Sequence, residues 1–580
     1  MKIKAIKIHN FRSVLDSEEI KLDDISLLVG ANNVGKSNVI DALRILYDDD
    51  KFDPKRDFPK SSLNPADEES WIDMKYSLSD EEHKNLPEYA NKFPKELRIR
   101  KYFKSSDSNK CKANQSNIFA YEDENAISSN LFHGAKNVSE AKLGKIIFIP
   151  SVNKTDDVLK TSGPSPLRQI ATFVFEKVAK KSSAFSALES AFSSFENDFS
   201  AESSSDGFSI KDLERDVNKN LEEWEVSFGI TIKKIKVDDI IKNLFEHNWK
   251  DDNLNGESID INQYGQGFQR HIIYTLIKLS AKYIDKKLSS KKEFAPVFTL
   301  ILFEEPEAFL HPAQQEILSA GLKEIATDKD EQTQVLLSTH SPIFVSRNIE
   351  ELTSIIRLRK ESGITKLNHV TNTDEDILFG QNKKLLDYLK GKLSDTVVPE
   401  EVKVEIRKLD DGSDDSLLLE QESMRYFLWL NSERCALFFA DFVIICEGPS
   451  EKIFIEYLFK TKWNDLRKKR IYLLDAGGKY NIHRFINLFA LLEIPHSVLL
   501  DSDGGKKHQK YVNEFIRSSK SSKTKAIYEF DPDFEQFLGI LLKQNRPDKK
   551  PLNIFLHFHN NKISSTKIDK LEEIINSIVL

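Results

Sequence analysis

Ile25-Ser-Leu-Leu-Val29-Gly30-Ala-Asn32-Asn33-Val-Gly35-Lys36-Ser37 is the stretch that decides the fold. Its first five residues are almost continuously apolar, which predicts a strand buried on both faces of a helix-covered sheet. The next eight fit G-x-x-x-x-G-K-[ST]. After them, Asn38 to Tyr47 places Val39, Ile40, Leu43 and Leu46 at helical spacing. Strand, glycine loop and helix are the context that this motif requires. The glycines let the loop's backbone N–H groups, with Asn32 and Asn33 among its residues, curl around phosphates. Lys36 is placed to reach the β- and γ-phosphates of ATP, and Ser37 to hold Mg2+.

Reading outward, Ile3, Ala5 and Ile8 lie on a strand at the N-terminus. Strand-like pieces recur at Trp71–Leu78, Leu97–Phe103 and Ile146–Ile149. A phosphate loop needs a partner strand ending in a metal-organising acid and a water-activating acid. Phe298-Thr-Leu-Ile-Leu-Phe303-Glu304-Glu305 supplies both, with Glu304 for the Mg2+ shell and Glu305 as general base. Gln334-Val-Leu-Leu-Ser-Thr-His340 sets a histidine just past a buried strand, where it can contact a γ-phosphate. Gly265-Gln266-Gly267 opens a helix through Ile272, Ile273 and Leu276, whose N-terminus is suited to the γ-phosphate of a nucleotide held by another protomer. Each of these also has a plain reading, as a solvated strand end, a satisfied core histidine or an ordinary glycine turn.

A second constellation lies in the C-terminal third. Asp441-Phe-Val-Ile-Ile-Cys446-Glu447-Gly448-Pro-Ser-Glu451 reads as strand, tight turn and helix start. Glu447 stands at the strand's C-terminal end, where α/β sites lie, and Glu451 follows one helical turn later. His496-Ser-Val-Leu-Leu500 runs into Asp501-Ser-Asp503, and a strand continuing through both acids would put them on one face. Four carboxylates in one pocket repel unless divalent cations are present, and hard oxygen ligands favour Mg2+ or Mn2+. Two such ions stabilise the attacking and leaving oxygens of a phosphodiester.

The whole chain has 580 residues and a net charge of −8, with 39% hydrophobic and 30% charged residues. It is too long for one core and too apolar for global disorder. Three cysteines exclude a disulfide scaffold and a four-thiolate zinc site, and fit a reducing cytoplasm. The alternating N-terminus lacks the apolar core of a signal peptide, and no run approaches the roughly 20 apolar residues of a membrane span. The expected organisation is an ATPase part over 1–164 and 251–375, interrupted by a helical insertion over 165–250. A connector over 376–435 follows, with a loop-like Asp410–Asp415, and then a C-terminal α/β domain over 436–580. Lys460 to Arg470, Lys506-Lys507 with Lys510, and Arg517 to Lys525 are basic runs suited to sequence-independent contacts with a DNA backbone.

The first set of motifs resembles the ABC-type ATPase head of the SMC and RecF group. Lys36 and Ser37 match Walker A, Glu304 and Glu305 match Walker B, His340 matches the switch histidine, and Gly265–Arg270 a degenerate signature motif. The second set resembles a Toprim domain. The two in one chain are similar to the OLD (overcoming lysogenization defect) family of ATP-dependent endonucleases. That resemblance implies an ATP-using, metal-dependent DNA endonuclease with a role in anti-phage defence. It further implies Glu535 in the metal shell, Lys562 near the scissile phosphate, and dimerisation through the insertion. Family members act alone, with a helicase partner as in Gabija systems, or beside a retron reverse transcriptase. The competing reading is a DNA-structure sensor of RecF type that does not cleave, which the intact carboxylate set disfavours. A topoisomerase or primase is a third, and no recognisable accessory domain supports it.

Overall fold

A computed structural model describes residues 1–134, 143–151, 182–199, 208–221, 226–230, 248–265, 298–327, 332–347, 352–408, 429–504, 508–541 and 546–579, with short pieces between 167 and 296 and between 421 and 426. The chain divides into two compact units, Met1–Ser151 with Ser289–Leu580, and Val152–Leu288.

In the first unit the strand Ile25–Val29 lies inside a six-stranded sheet. The order is Ile364–His369, Ile355–Glu361, Ile25–Val29, Thr333–Ser338, Thr299–Glu304 and Lys145–Ile149. All neighbours run parallel except the Ile355–Glu361/Ile364–His369 hairpin, which turns at Ser362-Gly363. Burial on both faces explains the unbroken apolar runs: all five residues of Ile25–Val29 and all six of Thr333–Ser338 are buried. The helix Lys36–Leu46 covers one face through Val39, Ile40, Leu43 and Leu46. These residues share a core with Ile3, Ile6, Ile8 and Phe11 from a seven-stranded, antiparallel sheet built around Lys2–Phe11, Ser70–Ser77 and Glu96–Lys104.

The same unit holds a four-stranded, all-parallel sheet ordered Ile471–Asp475, Phe442–Cys446, His496–Asp501 and Thr524–Phe530. One face is covered by the helices Pro449–Thr461, Lys550–His559 and Ser565–Val579, whose Phe454, Leu458, Ile554, Leu571 and Ile575 form a second core. The span 374–395 belongs to a helix, Asn372–Gly391, started by a capping box between Thr371 and Asp374, and to the turns after it. Asp410–Asp415 lies outside the described residues.

In the second unit the described helices are Ser183–Phe199 and Ile210–Leu221, and Trp249–Asp251 pairs with Glu257–Ile259. Among the described residues no helix is long and apolar enough to cross a membrane.

Candidate functional sites

The parallel register brings the first constellation together. Glu304 lies level with Ser338, and Ser338 with Leu28, so the strands before Glu305, His340 and Gly30 end at one edge. Gly35 caps the P-loop helix at φ 106, and a Cβ there would come within 2.4 Å of Thr365 Oγ1, so the position requires glycine. Asn32 and Asn33 are exposed on the loop, and Ser37 on the first turn of the helix. Lys36 is 7% exposed and donates to the carbonyls of Gly30 and Ala31, each at 2.9 Å. Burial pulls its ammonium down to about 8, against the pull of Glu305 and Glu307. Ser37 hydrogen-bonds Glu304, whose carboxyl is pushed upward by burial. Glu305 has a left-handed backbone, φ 44, and donates its N–H to Ser338 O at 2.8 Å. A non-glycine residue held in that region directly after a strand is the kind of strain found at functional positions. Its Oε1 lies 3.8 Å from His340 Nε2, and burial lowers the imidazole so that it is neutral at pH 7.

Two contributors here had no signal in the motif reading. Glu307 accepts from the His340 N–H and from Thr339 Oγ1 at 2.9 Å, and so fixes the histidine loop. Thr365 donates to Val34 O at 2.8 Å and pairs with Ser13 Oγ at 2.7 Å, holding the P-loop from the adjoining hairpin. Gly265 and Gly267 start a helical turn in the second unit, where Phe268 and Gln269 N–H both reach Gly265 O. Gln266 and Arg270 lie outside the described residues.

The second constellation gathers at the C-terminal edge of the four-stranded sheet. Glu447 follows Cys446, and its Oε2 accepts the Asp501 N–H at 3.0 Å. Glu451, on the first turn of Pro449–Thr461, is 5% exposed and folds back on the N–H groups of Gly448 and its own residue. Burial, then the charge of Glu447, pushes its carboxyl upward. Asp501 ends its strand, with Oδ1 on the Phe534 N–H at 2.9 Å; burial and then Glu451 and Glu447 push it upward too. The strand does not continue to Asp503, contrary to the expectation from alternation. It stops at Asp501, and Asp503 sits in a turn at φ 49 with its N–H on Pro532 O. The turn brings it back to the group, where it raises Glu447 and Asp501.

The cation among these acids is Lys479, which the motif reading passed over. It is 3% exposed. Its ammonium donates to Asp503 Oδ2 at 2.8 Å and to Asp501 O at 2.7 Å, and lies 3.6 Å from Glu447 Oε2. Gly477 and Gly478, at φ 67 and 115, turn the chain so that this side chain points back to the strand ends. Gly477-Gly478-Lys479, shortly after the strand Ile471–Asp475, was the one local signal. Glu535 is 5% exposed on Phe534–Phe537, 4.0 Å from Lys550, whose charge is also felt at Glu451. Lys562 sits exposed on the turn between Lys550–His559 and Ser565–Val579, and among the described residues none of its recorded contacts is with the carboxylates. As the side chains stand, no three acids among the described residues are close enough to share one ion. The donor set nonetheless suits a hard divalent cation: the carboxylates are buried, destabilise one another's ionised form and are partly neutralised by a lysine.

The basic runs divide. Arg470 precedes its strand and pairs with Asp441 at 4.0 Å, and Lys523 O receives the His496 N–H. Lys460–Arg470 and Lys520–Lys525 therefore reach the N-terminal edge of the parallel strands, about 16 Å of strand away from the carboxylates. Lys510 lies on the carboxylate side, next to Asp503 along one cavity. Lys506 and Lys507 lie outside the described residues.

A profile described as AAA ATPase domain matches residues 1–345, and one described as overcoming lysogenization defect protein-like, TOPRIM domain, matches 438–503. The chain belongs to the AAA ATPase family and is an OLD-type ATPase–TOPRIM protein. It is 23% identical to an endonuclease GajA of Bacillus cereus strain VD045, over 97% of this chain and 86% of that one. It is 22% identical to the Old nuclease of Escherichia phage P2, over 87% and 77%. A second GajA, of strain HuB5-5, is 24% identical over 54% of this chain and 42% of its own length. Among solved structures the SMC head domain from Thermotoga maritima aligns at 12% identity and TM-score 0.32, over 64% of this chain and all of that one. An AAA ATPase domain joined to a TOPRIM domain uses a nucleotide and a divalent cation.

Proposed function

We propose that this protein is an ATP-dependent, divalent-metal-dependent DNA endonuclease that acts in the cytoplasm as an effector of anti-phage defence; its relatives are named endonuclease and nuclease. The observation that supports this best is the joint presence, in one compact unit, of a P-loop facing Glu304, Glu305 and His340 and of a buried acidic cluster at the C-terminal edge of a parallel sheet. At the first site Lys36 neutralises phosphate charge, Ser37 and Glu304 hold the nucleotide's metal, Glu305 takes a proton from water, and neutral His340 donates toward the γ-phosphate.

At the second site Glu447, Glu451, Asp501 and Asp503, with Glu535 behind them, would hold Mg2+ or Mn2+, two ions in the reading adopted here. The metal supplies charge for the attacking and leaving oxygens of the phosphodiester. Lys479 holds Asp503 against the end of the Asp501 strand, and the Phe534 N–H orients Asp501. Lys562, on its exposed turn, is the residue assigned to the phosphate from outside. The described helices of the second unit are assigned to assembly of a homodimer or higher oligomer. A helicase or retron-type partner belongs to the same proposal.

Supercoiled plasmid incubated with Mg2+ or Mn2+, with and without ATP, tests the reading. Nicked or linear product is expected from the wild type and none from Asp501→Ala, whose ATP hydrolysis persists. Relaxed closed circles would identify a topoisomerase, and DNA-stimulated ATP turnover without any cleavage would identify a sensor.

A further inference from the structure

We propose that the cavity beside Asp503 is a nucleoside subsite, which takes one unstacked base and its sugar from the DNA strand next to the phosphate presented to the carboxylates. The inference rests on the nuclease reading above and deepens it. The cavity has a volume of about 440 Å3, within the roughly 300–1,000 Å3 of clefts that enclose a small ligand. The turn Ser502–Gly504 forms part of its wall, so any occupant lies against the residue that carries one of the four acids.

The chemistry of the walls selects the occupant. Tyr511 supplies an aromatic face, and Pro399 and Val402 supply aliphatic surface, which together suit a flat ring. Asp503 and Glu529 also line the space. Lys510 and Arg517 line it as well, so the walls carry no net charge and suit a neutral base and sugar better than a free phosphate or a second nucleoside triphosphate. Two cations are at hand: Lys510 is exposed on the wall, and Lys392 lies by the Tyr511 ring, 5.4 Å from its centroid. They are suited to the phosphates on either side of an inserted nucleoside.

The wall is also rigidly tied to the reacting end of the sheet. Asn513 is 3% exposed and donates to Asp501 O at 3.1 Å and to Glu529 Oε2 at 3.3 Å. Arg517 is paired with Glu529. A nucleoside held here is therefore kept in fixed register with Asp501 and Asp503. A base inside an intact duplex cannot enter a concave site without leaving its stack. The subsite accordingly favours DNA in which that step is already made, such as a gap, a frayed end or a mismatch.

Gapped oligonucleotides made abasic at one position at a time around the gap provide the test, with Ca2+ replacing Mg2+ so that DNA is bound and not cut. Removing the base that enters the subsite should weaken binding about tenfold, at one position only, in the wild type and in Tyr511→Phe. Tyr511→Ala should lose that position dependence and bind the gapped DNA about tenfold or more weakly, the effect of removing one aromatic stacking partner. Recovery in Tyr511→Phe separates a stacking role from a fold defect. A chain that cleaves DNA yet shows no such position overturns the subsite alone, as does Tyr511→Ala with an unchanged position dependence. A chain that neither binds nor cleaves DNA overturns the nuclease reading and the subsite together.

Discussion

At the scale of single residues the decisive group is Lys479. Its ammonium repels any divalent ion brought to the same acids, yet it also holds Asp503 and the Asp501 carbonyl in place. Lys479→Met should therefore bind Mg2+ no more weakly than the wild type while cleaving DNA about 10–100-fold more slowly, the usual cost of removing a group that orients metal ligands. Calorimetric Mg2+ titration beside cleavage at saturating metal separates the two effects. Full cleavage restored simply by excess metal would show that the lysine matters only for loading. The acids make a second prediction. Glu451 and Asp501 are both raised above the ordinary carboxylate range, chiefly by burial, so near neutrality the metal-free protein keeps protons on them. A cation must displace those protons, so metal affinity should climb with pH, by up to about tenfold per unit for each proton released. Affinity that is flat from about pH 6 to about pH 8 would mean the ions bind elsewhere. The four acids were legible in sequence because each pair comes at the end of an apolar strand. Lys479 was not, because its place depends on two glycines in the left-handed region, and Asp503 was found for the wrong reason, since a turn and not a strand returns it to Asp501.

At the scale of elements the hairpin Ile355–Glu361/Ile364–His369 does work that no motif announces. Thr365 bonds Val34 O inside the P-loop and Ser13 on the antiparallel sheet, so the hairpin clamps the loop from outside. Thr365→Val keeps the shape and deletes both bonds. A buried carbonyl left without its donor costs roughly 1–3 kcal/mol, enough to let the loop sample other forms. The expected result is a KM for ATP raised about tenfold with a smaller change in kcat, read from steady-state hydrolysis. An unchanged KM would show that Gly35 and the helix Lys36–Leu46 hold the loop unaided. Strands and P-loop were readable because apolar runs and glycine spacing are local signals. The clamp was not, because it joins residues 331 positions apart. The edge at which each basic run emerges was equally hidden, since it follows from parallel strand order.

At the scale of the molecule the two sites are joined through buried contacts of one unit. Arg357, 4% exposed on the strand next to the P-loop strand, donates to the carbonyls of Leu492, Glu493 and Ala440, each at 3.3 Å. Burial lowers its guanidinium to about 10, so it keeps its charge at pH 7. Arg359 pairs with Glu493 alongside. The helix Pro342–Arg347, which follows the His340 loop, packs on the turn Arg434–Phe439, and the Phe439 ring lies 6.1 Å from the His340 ring. The loop that carries His340 is thus in contact with the residues that lead into the Glu447 strand. Arg357→Met keeps the side chain's length and removes the charged donor. Hydrogen bonds to a charged group contribute roughly 1.5–3 kcal/mol, so the sheets should separate before either core melts. Calorimetry should then show two unfolding transitions in place of one. ATP hydrolysis should persist, because none of its groups is touched, while the effect of ATP on DNA cleavage should disappear. One transition at the wild-type temperature, with cleavage still responding to ATP, would place the link elsewhere and leave Arg357 as packing alone.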